Sequence, residues 1–414
     1  MLNVLNMPVQ SPIPSNRYLL WILAFVLSVP AAVLTYRFGW SLLTDPGRPI
    51  PGDFMVYWRA VERTLAQEPV YRPTDGSPFK YSPTFLYLFK ALVHSDDVRR
   101  SVSLWSAFSV LSFFSGMGWL IWRCLALFPN RQKLIVGTLA LGIVLGWRGF
   151  FETLAYGQVD LILQGMFLVW TATLLRPWSK PETFLFWSLP GLVLMIKPQM
   201  GIAFLPCFAF LPLPTLALLG SITLVWYLAP GAWIGLSSLA LLFEQWVACL
   251  RIQQSAEFIS GNLNQSLSAT LARIIESPGS AGTWTTGLLI VFVVLVTALR
   301  FRIPASTYLS EPRLRVQLAL AGLSAFLVFS PLSWRWMIMA WAPILALSVA
   351  LTRGRRVLIL GVALSLLTHS VFGGWIEKLH SDGVSHYGIY TWVSLCWFVG
   401  MAWNLFQKKR HPCR

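Results

Sequence analysis

Acidic side chains are scarce here: 16 Asp and Glu stand against 32 Lys and Arg in 414 residues. There is no DxD carboxylate pair and no Gly-rich phosphate loop, so the sequence offers neither a metal-bridged diphosphate site nor a P-loop. The five cysteines (Cys124, Cys207, Cys249, Cys396 and Cys413) show no CxxC or other ligand spacing. Four of them lie in apolar surroundings, as inert core thiols do. His369, His380 and His386 likewise lack metal-ligand spacing and are ordinary polar residues. Low-complexity tracts and internal repeats are also missing, and the lack of a repeat argues against the many transporter folds built from one.

What the chain has in quantity is apolar sequence. A hydrophobic fraction of 56%, a charged fraction of 12% and a mean hydropathy of +0.63 place it among polytopic membrane proteins. Twelve apolar runs read as spans: Tyr18–Tyr36, Val102–Phe128, Lys133–Trp147, Val159–Leu175, Thr183–Ile196, Met200–Leu213, Pro214–Pro230, Trp284–Phe301, Val316–Ser330, Trp336–Leu351, Val357–Phe372 and Gly388–Phe406. A span takes roughly 17–25 residues. Thr183–Ile196 and Met200–Leu213 fall short of that, so they read as half-length helices meeting at Lys197-Pro198. The first run is too long for a signal-peptide core and lacks a small-residue cleavage site, so it reads as retained. The expected fold is all-α, about 10–12 transmembrane helices in one domain over residues 1–414.

Sorting the connections by parity makes the charge asymmetric. One side receives the N- and C-terminal tails and the turns near 129–132, 176–182, 302–315 and 352–356. With span-end Arg123, Lys133 and Arg300, it holds seventeen basic residues but only two acids, Glu182 and Glu311. Short loops rich in Lys and Arg stay in the cytoplasm, which predicts cytoplasmic termini in a cell membrane. The net charge of +16 is nearly all this excess. It therefore belongs to topology and anionic headgroups, not to nucleic acid.

Polar material gathers on the opposite face, in two long loops at 38–101 and 231–283. That predicts an extracytoplasmic site, where nucleotide donors are not supplied and a transferred group must arrive on a lipid. In the first loop, Asp53 precedes Phe54, Tyr57, Trp58, Val61 and Leu65, apolar at helical spacing, with Arg59, Glu62 and Arg63 opposite. This is the pattern of an amphipathic helix lying in the interface. Asp53 reads equally as its N-cap or as a catalytic carboxylate. Phe79-Lys80-Tyr81-Ser82-Pro83 then leads into a second apolar segment. Asp160, after Gly157-Gln158-Val159, reads as an N-cap or buried hydrogen-bond partner, or as a site residue. Lys197-Pro198-Gln199 interrupts an apolar stretch, where a lysine is paired or lines a wet cavity, or else snorkels to the headgroups. Asn264-Gln265-Ser266 reads as a turn and helix cap. Arg335 stands between Trp334 and Trp336, and is either stacked there as structure or a phosphate contact.

In this order, these motifs resemble glycosyltransferase family 87 of the GT-C superfamily, the polyprenyl-phosphate-mannose-dependent mannosyltransferases. The matching stretches run from the Asp53–Tyr57 helix start to Ser330-Pro331-Leu332-Ser333-Trp334. The resemblance implies a GT-C fold and a polyprenyl-phosphate sugar donor, most simply of mannose. It implies a lipid or glycan acceptor, and an acidic base in the first outer loop, which maps onto Asp53. Relatives often carry histidine where this chain has Arg335. Inverting transfer needs one carboxylate to take the acceptor proton and cations for the leaving phosphate. Lys197 and Arg335 are the expected cations, with Arg59 as a third. Tyr57, Tyr81, Gln158, Asp160, Gln199, Asn264 and Gln265 complete the expected substrate contacts, and the chemistry calls for no metal or other cofactor. A transporter or lipid flippase is the alternative, and would place ionisable residues at mid-membrane depth.

Overall fold

The computed structural model describes residues 17–175, 180–252, 261, 264–277, 281–351 and 389–407. Its helices form an all-α polytopic membrane protein. In chain order they are α1 (Arg17–Thr35), α2 (Gly52–Leu65), α3 (Pro83–Leu92), α4 (Val98–Leu127) and α5 (Gln132–Tyr156). Then come α6 (Asp160–Thr173), α7 (Lys180–Ile196), α8 (Gly201–Phe208), α9 (Leu213–Leu228) and α10 (Leu236–Ile252). The last five are α11 (Leu267–Ile274), α12 (Ala281–Arg302), α13 (Pro312–Phe329), α14 (Trp341–Leu351) and α15 (Ile389–Gln407).

Eleven of the twelve expected apolar runs coincide with helices; Val357–Phe372 lies outside the described residues. Among the described residues, six helical stretches are long and apolar enough to cross a membrane unaided. α7 and α8, where the two short runs were expected, are shorter. Pro198 ends α7, so the predicted break at Lys197-Pro198 forms; α8 is half-length at eight residues, whereas α7 starts at Lys180 and reaches 17 residues, longer than the half-helix expected. The loop boundaries move inward. The first helical stretch runs on to Thr44 through a π-turn, and α4 begins at Val98, so the first long connection is 45–97, shorter than the expected 38–101.

Small residues set the tightest helix contacts. A Cβ on Gly116 of α4 would lie 2.5 Å from the Gly165 carbonyl oxygen of α6, and one on Gly165 would lie 2.4 Å from the Ser112 oxygen. Only glycine lets these backbones touch, as small residues do between membrane helices. α1, α9 and α12 show most of their surface outward, with 11–17% of each span's apolar window buried. α13, at 83%, is enclosed by the others.

The two ends of the bundle differ chemically. At one end Arg123 pairs with Glu182, Arg315 Nε donates to Leu174 O at 2.6 Å, and the Arg313 guanidinium lies 4.8 Å from the Phe128 ring centre. α4 carries the chain roughly 45 Å from there, at 1.5 Å per residue. At its far end lie α2, α3 and the α5–α6 and α7–α8 junctions.

Candidate active site

The first connection is rigid before it reaches Asp53. Asp97 caps α4, accepting from Arg99 N at 2.8 Å. The Arg99 guanidinium then gathers the carbonyls of Leu42 (3.1 Å), Asp45 (2.9 Å), Pro46 and Arg48 (3.3 Å). This ties down the chain that enters α2. The cap of α2 is Pro51, so Asp53 is not the N-cap. It stands in the first turn, where the helix dipole favours a carboxylate. The predicted amphipathic face is buried through Phe54, Tyr57 and Val61. Tyr57 packs edge-on against Phe85 (5.3 Å between centres) and Trp105 (5.6 Å), fixing α2 to α3 and α4. Arg59 faces outward from the bundle.

Gly157 brings the second carboxylate to the first. It ends α5 with φ of +72°, a left-handed conformation that glycine adopts without penalty. A Cβ there would lie 2.7 Å from Phe54 Cβ and 3.0 Å from Pro51 Cβ, and its carbonyl accepts from Trp105 Nε1 at 2.9 Å. Bare backbone is therefore pressed against the turn that carries Asp53. Gln158, buried, and Val159 follow. Val159 caps α6, so Asp160 is its first helical residue and not its cap.

Lys197 reaches the same place from α7. Being followed by proline, it is forced out of the helix to φ −141°, ψ 86°. Its Nζ sits 2.7 Å from Asp160 Oδ1, with side-chain exposures of 8% and 3%. Lys197 therefore does not snorkel; it is a buried ion-pair partner. Asp160 Oδ2 is buried with no hydrogen-bond partner among the described residues. Gln199 is half-buried in the following 3-10 turn.

Lys80 and Tyr81 close the group. Tyr57 and Tyr81 share a hydroxyl–hydroxyl hydrogen bond of 3.0 Å, and burial keeps both phenols well above their ordinary range. The Asp53 carboxyl is pushed up to about 6 by burial, opposed by Lys80 and then Lys197, with Asp160 adding to the rise. Burial pulls the half-buried Lys80 ammonium down, and the charge of Asp53 holds it up. Two carboxylates and two ammonium groups thus act on one another at one end of the bundle. Lys80 was not among the residues expected from sequence. Its signal was the one that marked Lys197, an isolated cation in an aromatic and proline-flanked stretch.

The two later motifs meet each other. Asn264 Nδ2 donates to Pro331 O (2.9 Å), and its Oδ1 accepts from Ser266 N (3.1 Å) and Ser333 N (3.0 Å). Asn264 and Trp334 form an antiparallel bridge, and Gln265 N donates to Ser333 O at 2.5 Å. Ser266 caps α11, as its position suggested. Arg273, which sequence reasoning passed over, holds the turn by donating to Gly261 O (3.0 Å) and Asn264 O (2.8 Å). Burial lowers its guanidinium to about 10. Arg335 opens the 3-10 segment Arg335–Ala340 directly after this clip; its side chain lies outside the described residues.

The described residues thus gather Asp53, Asp160, Lys80 and Lys197 within electrostatic reach of one another in a bundle of apolar helices. The sequence profile of glycosyltransferase family 87 matches residues 79–331, more than half of the chain. The chain belongs to that family and is a glycosyltransferase. The matched region contains Lys80, Tyr81, Gln158, Asp160, Lys197, Gln199, Asn264 and Gln265; Asp53, Tyr57 and Arg59 precede it and Arg335 follows. No curated protein and no solved structure matches the chain.

Proposed function

We propose that this glycosyltransferase moves a sugar, mannose in the simplest case, from a polyprenyl-phosphate donor to a lipid or glycan acceptor on the extracytoplasmic face of the cell membrane. Asp53 is the general base. The observation that carries this reading is the position of Asp53: a partly buried carboxylate, its pKa raised, in the first turn of an amphipathic helix packed on the bundle and within the electrostatic reach of Lys80 and Lys197. A base with its pKa near ambient pH is well matched to taking a hydroxyl proton.

The acceptor oxygen attacks the anomeric carbon as its proton passes to Asp53. The bond from that carbon to the phosphate oxygen breaks, its electron pair leaves with the phosphate, and configuration inverts. Phosphate is already a good leaving group, so the enzyme needs cations rather than a second acid. The lysines beside Asp53 supply them, with Arg335 as a further candidate. Gln158, Asp160, Gln199, Asn264 and Gln265 are candidates for the remaining polar contacts.

Transfer of radiolabelled sugar from a panel of polyprenyl-phosphate sugars to membrane acceptors tests the reading. Asp53→Asn keeps the size of the side chain but accepts no proton. It should cost the roughly 10²–10⁴-fold that general base catalysis supplies. A well-inserted Asp53→Asn protein with near-normal transfer would remove the assignment and make Asp160 the leading carboxylate.

A further inference from the structure

We infer that the end of the bundle opposite to Asp53 binds one anionic phospholipid, with an acyl chain in the groove enclosed by α8, α12, α13 and α15 and the phosphate on Arg300. This lipid is distinct from the sugar donor, whose phosphate must reach Asp53.

The groove is wholly apolar. α12 and α15 run side by side in register: the Phe292 and Phe398 rings meet at 6.1 Å between centres, and Phe329 of α13 closes on them at 5.3 and 5.1 Å. Seven residues further along each helix come Leu299 and Leu405, which line the same groove with Leu295 of α12 and Pro206 of α8. None of its nine lining residues is polar, so it offers nothing to a hydrophilic ligand. From Phe292 to Leu299 is roughly 10 Å of helix, about two-thirds of one leaflet of a hydrocarbon core about 30 Å thick. Val399 and Trp403 of α15 are exposed beside it, as is most of α12, so the groove borders the bilayer. An exposed indole near a helix end settles at headgroup level, which sets the Leu299–Leu405 end of the groove at the depth of the phosphates.

A cation stands at that end. Arg300 follows Leu299 in the last turn of α12, is exposed, and holds its guanidinium 5.7 Å from the centre of the Phe210 ring. Phe210 comes four residues after Pro206 and stacks on Tyr308 at 5.3 Å. Two walls of the groove thus lead into the two halves of one cation seat. Arg315 donates to Tyr308 O at 3.3 Å and to Leu174 O at 2.6 Å, which ties this seat to the end of the bundle far from Asp53.

The helix dipole favours any cation at the C-terminus of α12, but does not account for the ring beneath it. A guanidinium held over an aromatic face keeps N–H donors in its own plane, where they match a phosphate bidentately. Among the described residues no carboxylate pairs with Arg300. Arg123 differs, being already paired with Glu182. A zwitterionic headgroup brings its own ammonium to the phosphate, whereas an anionic one leaves that charge to Arg300.

The test is native mass spectrometry of the purified full-length protein in detergent, titrated with phosphatidylglycerol or with phosphatidylcholine of the same acyl chains. Phosphatidylglycerol should bind as one tight equivalent, about fivefold more tightly than phosphatidylcholine, which is what one arginine contributes near an anionic surface. Arg300→Gln should remove the preference, and Leu295→Trp, which fills the groove, should weaken both lipids. Arg313→Gln is the charge-matched comparison: its guanidinium lies on Phe128, away from the groove, and its loss should leave binding unchanged. Glycerol phosphate at the same concentration should not displace the lipid, which separates a phospholipid from a free phosphate. A wild-type preference in Arg300→Gln, an equal loss in Arg313→Gln, or displacement by glycerol phosphate would each overturn the assignment. Displacement by equimolar polyprenyl phosphate would also overturn it and give the groove to the donor's tail. The role of Asp53 stands or falls separately, on the transfer assay.

Discussion

Removing Lys197 alone should damage this protein more than removing Lys197 and Asp160 together. In Lys197→Met the Asp160 carboxylate, 3% exposed and bonded through Oδ1 to Lys197 Nζ, loses that counter-charge. Breaking a buried pair in this way costs about 3–5 kcal/mol, because the surviving charge stays desolvated. Lys197→Met/Asp160→Leu removes both charges at once. Such replacements by apolar residues are often neutral, or stabilising by about 1–4 kcal/mol. The assay is a melting curve in detergent, followed by the monodisperse fraction of the full-length protein, alongside sugar transfer on the same preparations. The expected melting order is Lys197→Met lowest, with the double variant near wild type. Transfer should be absent from both, because each loses the Asp160–Lys197 unit. If Lys197→Met melted with wild type, the pair would not be desolvated as the geometry requires. If the double variant transferred sugar normally, the pair would be packing and nothing more.

Three further outcomes are expected. The acid limb of kcat/KM should rise through an apparent pKa of about 6, since Asp53 is active only when ionised and burial holds its carboxyl there. Lys80 opposes that rise most strongly, so Lys80→Met should move the limb to higher pH; the sign has a stability counterpart, in that whatever the raised pKa contributes to the fold is present in acid and lost above about 6. Gly157→Ala should cost about 1–2 kcal/mol for the left-handed backbone, and more where its Cβ meets Phe54; transfer should fall more than melting temperature, because the contact that gives way is the one holding α2 against the α5–α6 junction. Single cysteines at positions 75 and 310 in a Cys-free protein test the orientation. An impermeant thiol reagent should label 75 in intact cells and 310 only after lysis, and labelling of 310 from outside would reverse the topology.

Much of the fold was legible because membrane helices advertise themselves by composition. The break at Lys197-Pro198 followed from local rules alone, as did the amphipathic helix that carries Asp53 and the cap at Ser266. Boundaries were less legible. α1 continues past Tyr36 through a π-turn, and α4 begins four residues before the apolar run that announced it, because polar side chains at helix ends sit outside a hydropathy signal. The site was half legible. Asp53, Tyr57, Tyr81, Asp160 and Lys197 could each be singled out as a polar residue in an apolar context. Which of them meet could not be read from spacing, since 37 residues separate Asp160 from Lys197 and two helices, α6 and α7, lie between them.

The residue that joins them carries no functional group at all. Gly157 lets the α5–α6 junction touch α2, and that contact sets Asp160 beside Asp53. Lys80 was less legible for a related reason: its local sequence marks an isolated cation, but its hold on Asp53 comes from tertiary placement that spacing does not report. Asn264 shows the converse. A side chain that fills both its acceptor and its donor roles with the 266 and 331–333 backbone serves first to hold Ser333 and Trp334 in place. Any influence of Asn264 on a substrate would then run through the segment that leads into Arg335. The sequence order of the motifs is thus a poor guide to their division of labour. Residues 53, 80, 160 and 197 make a charged centre, while 264 and 330–334 make a clip that shapes what stands beside it.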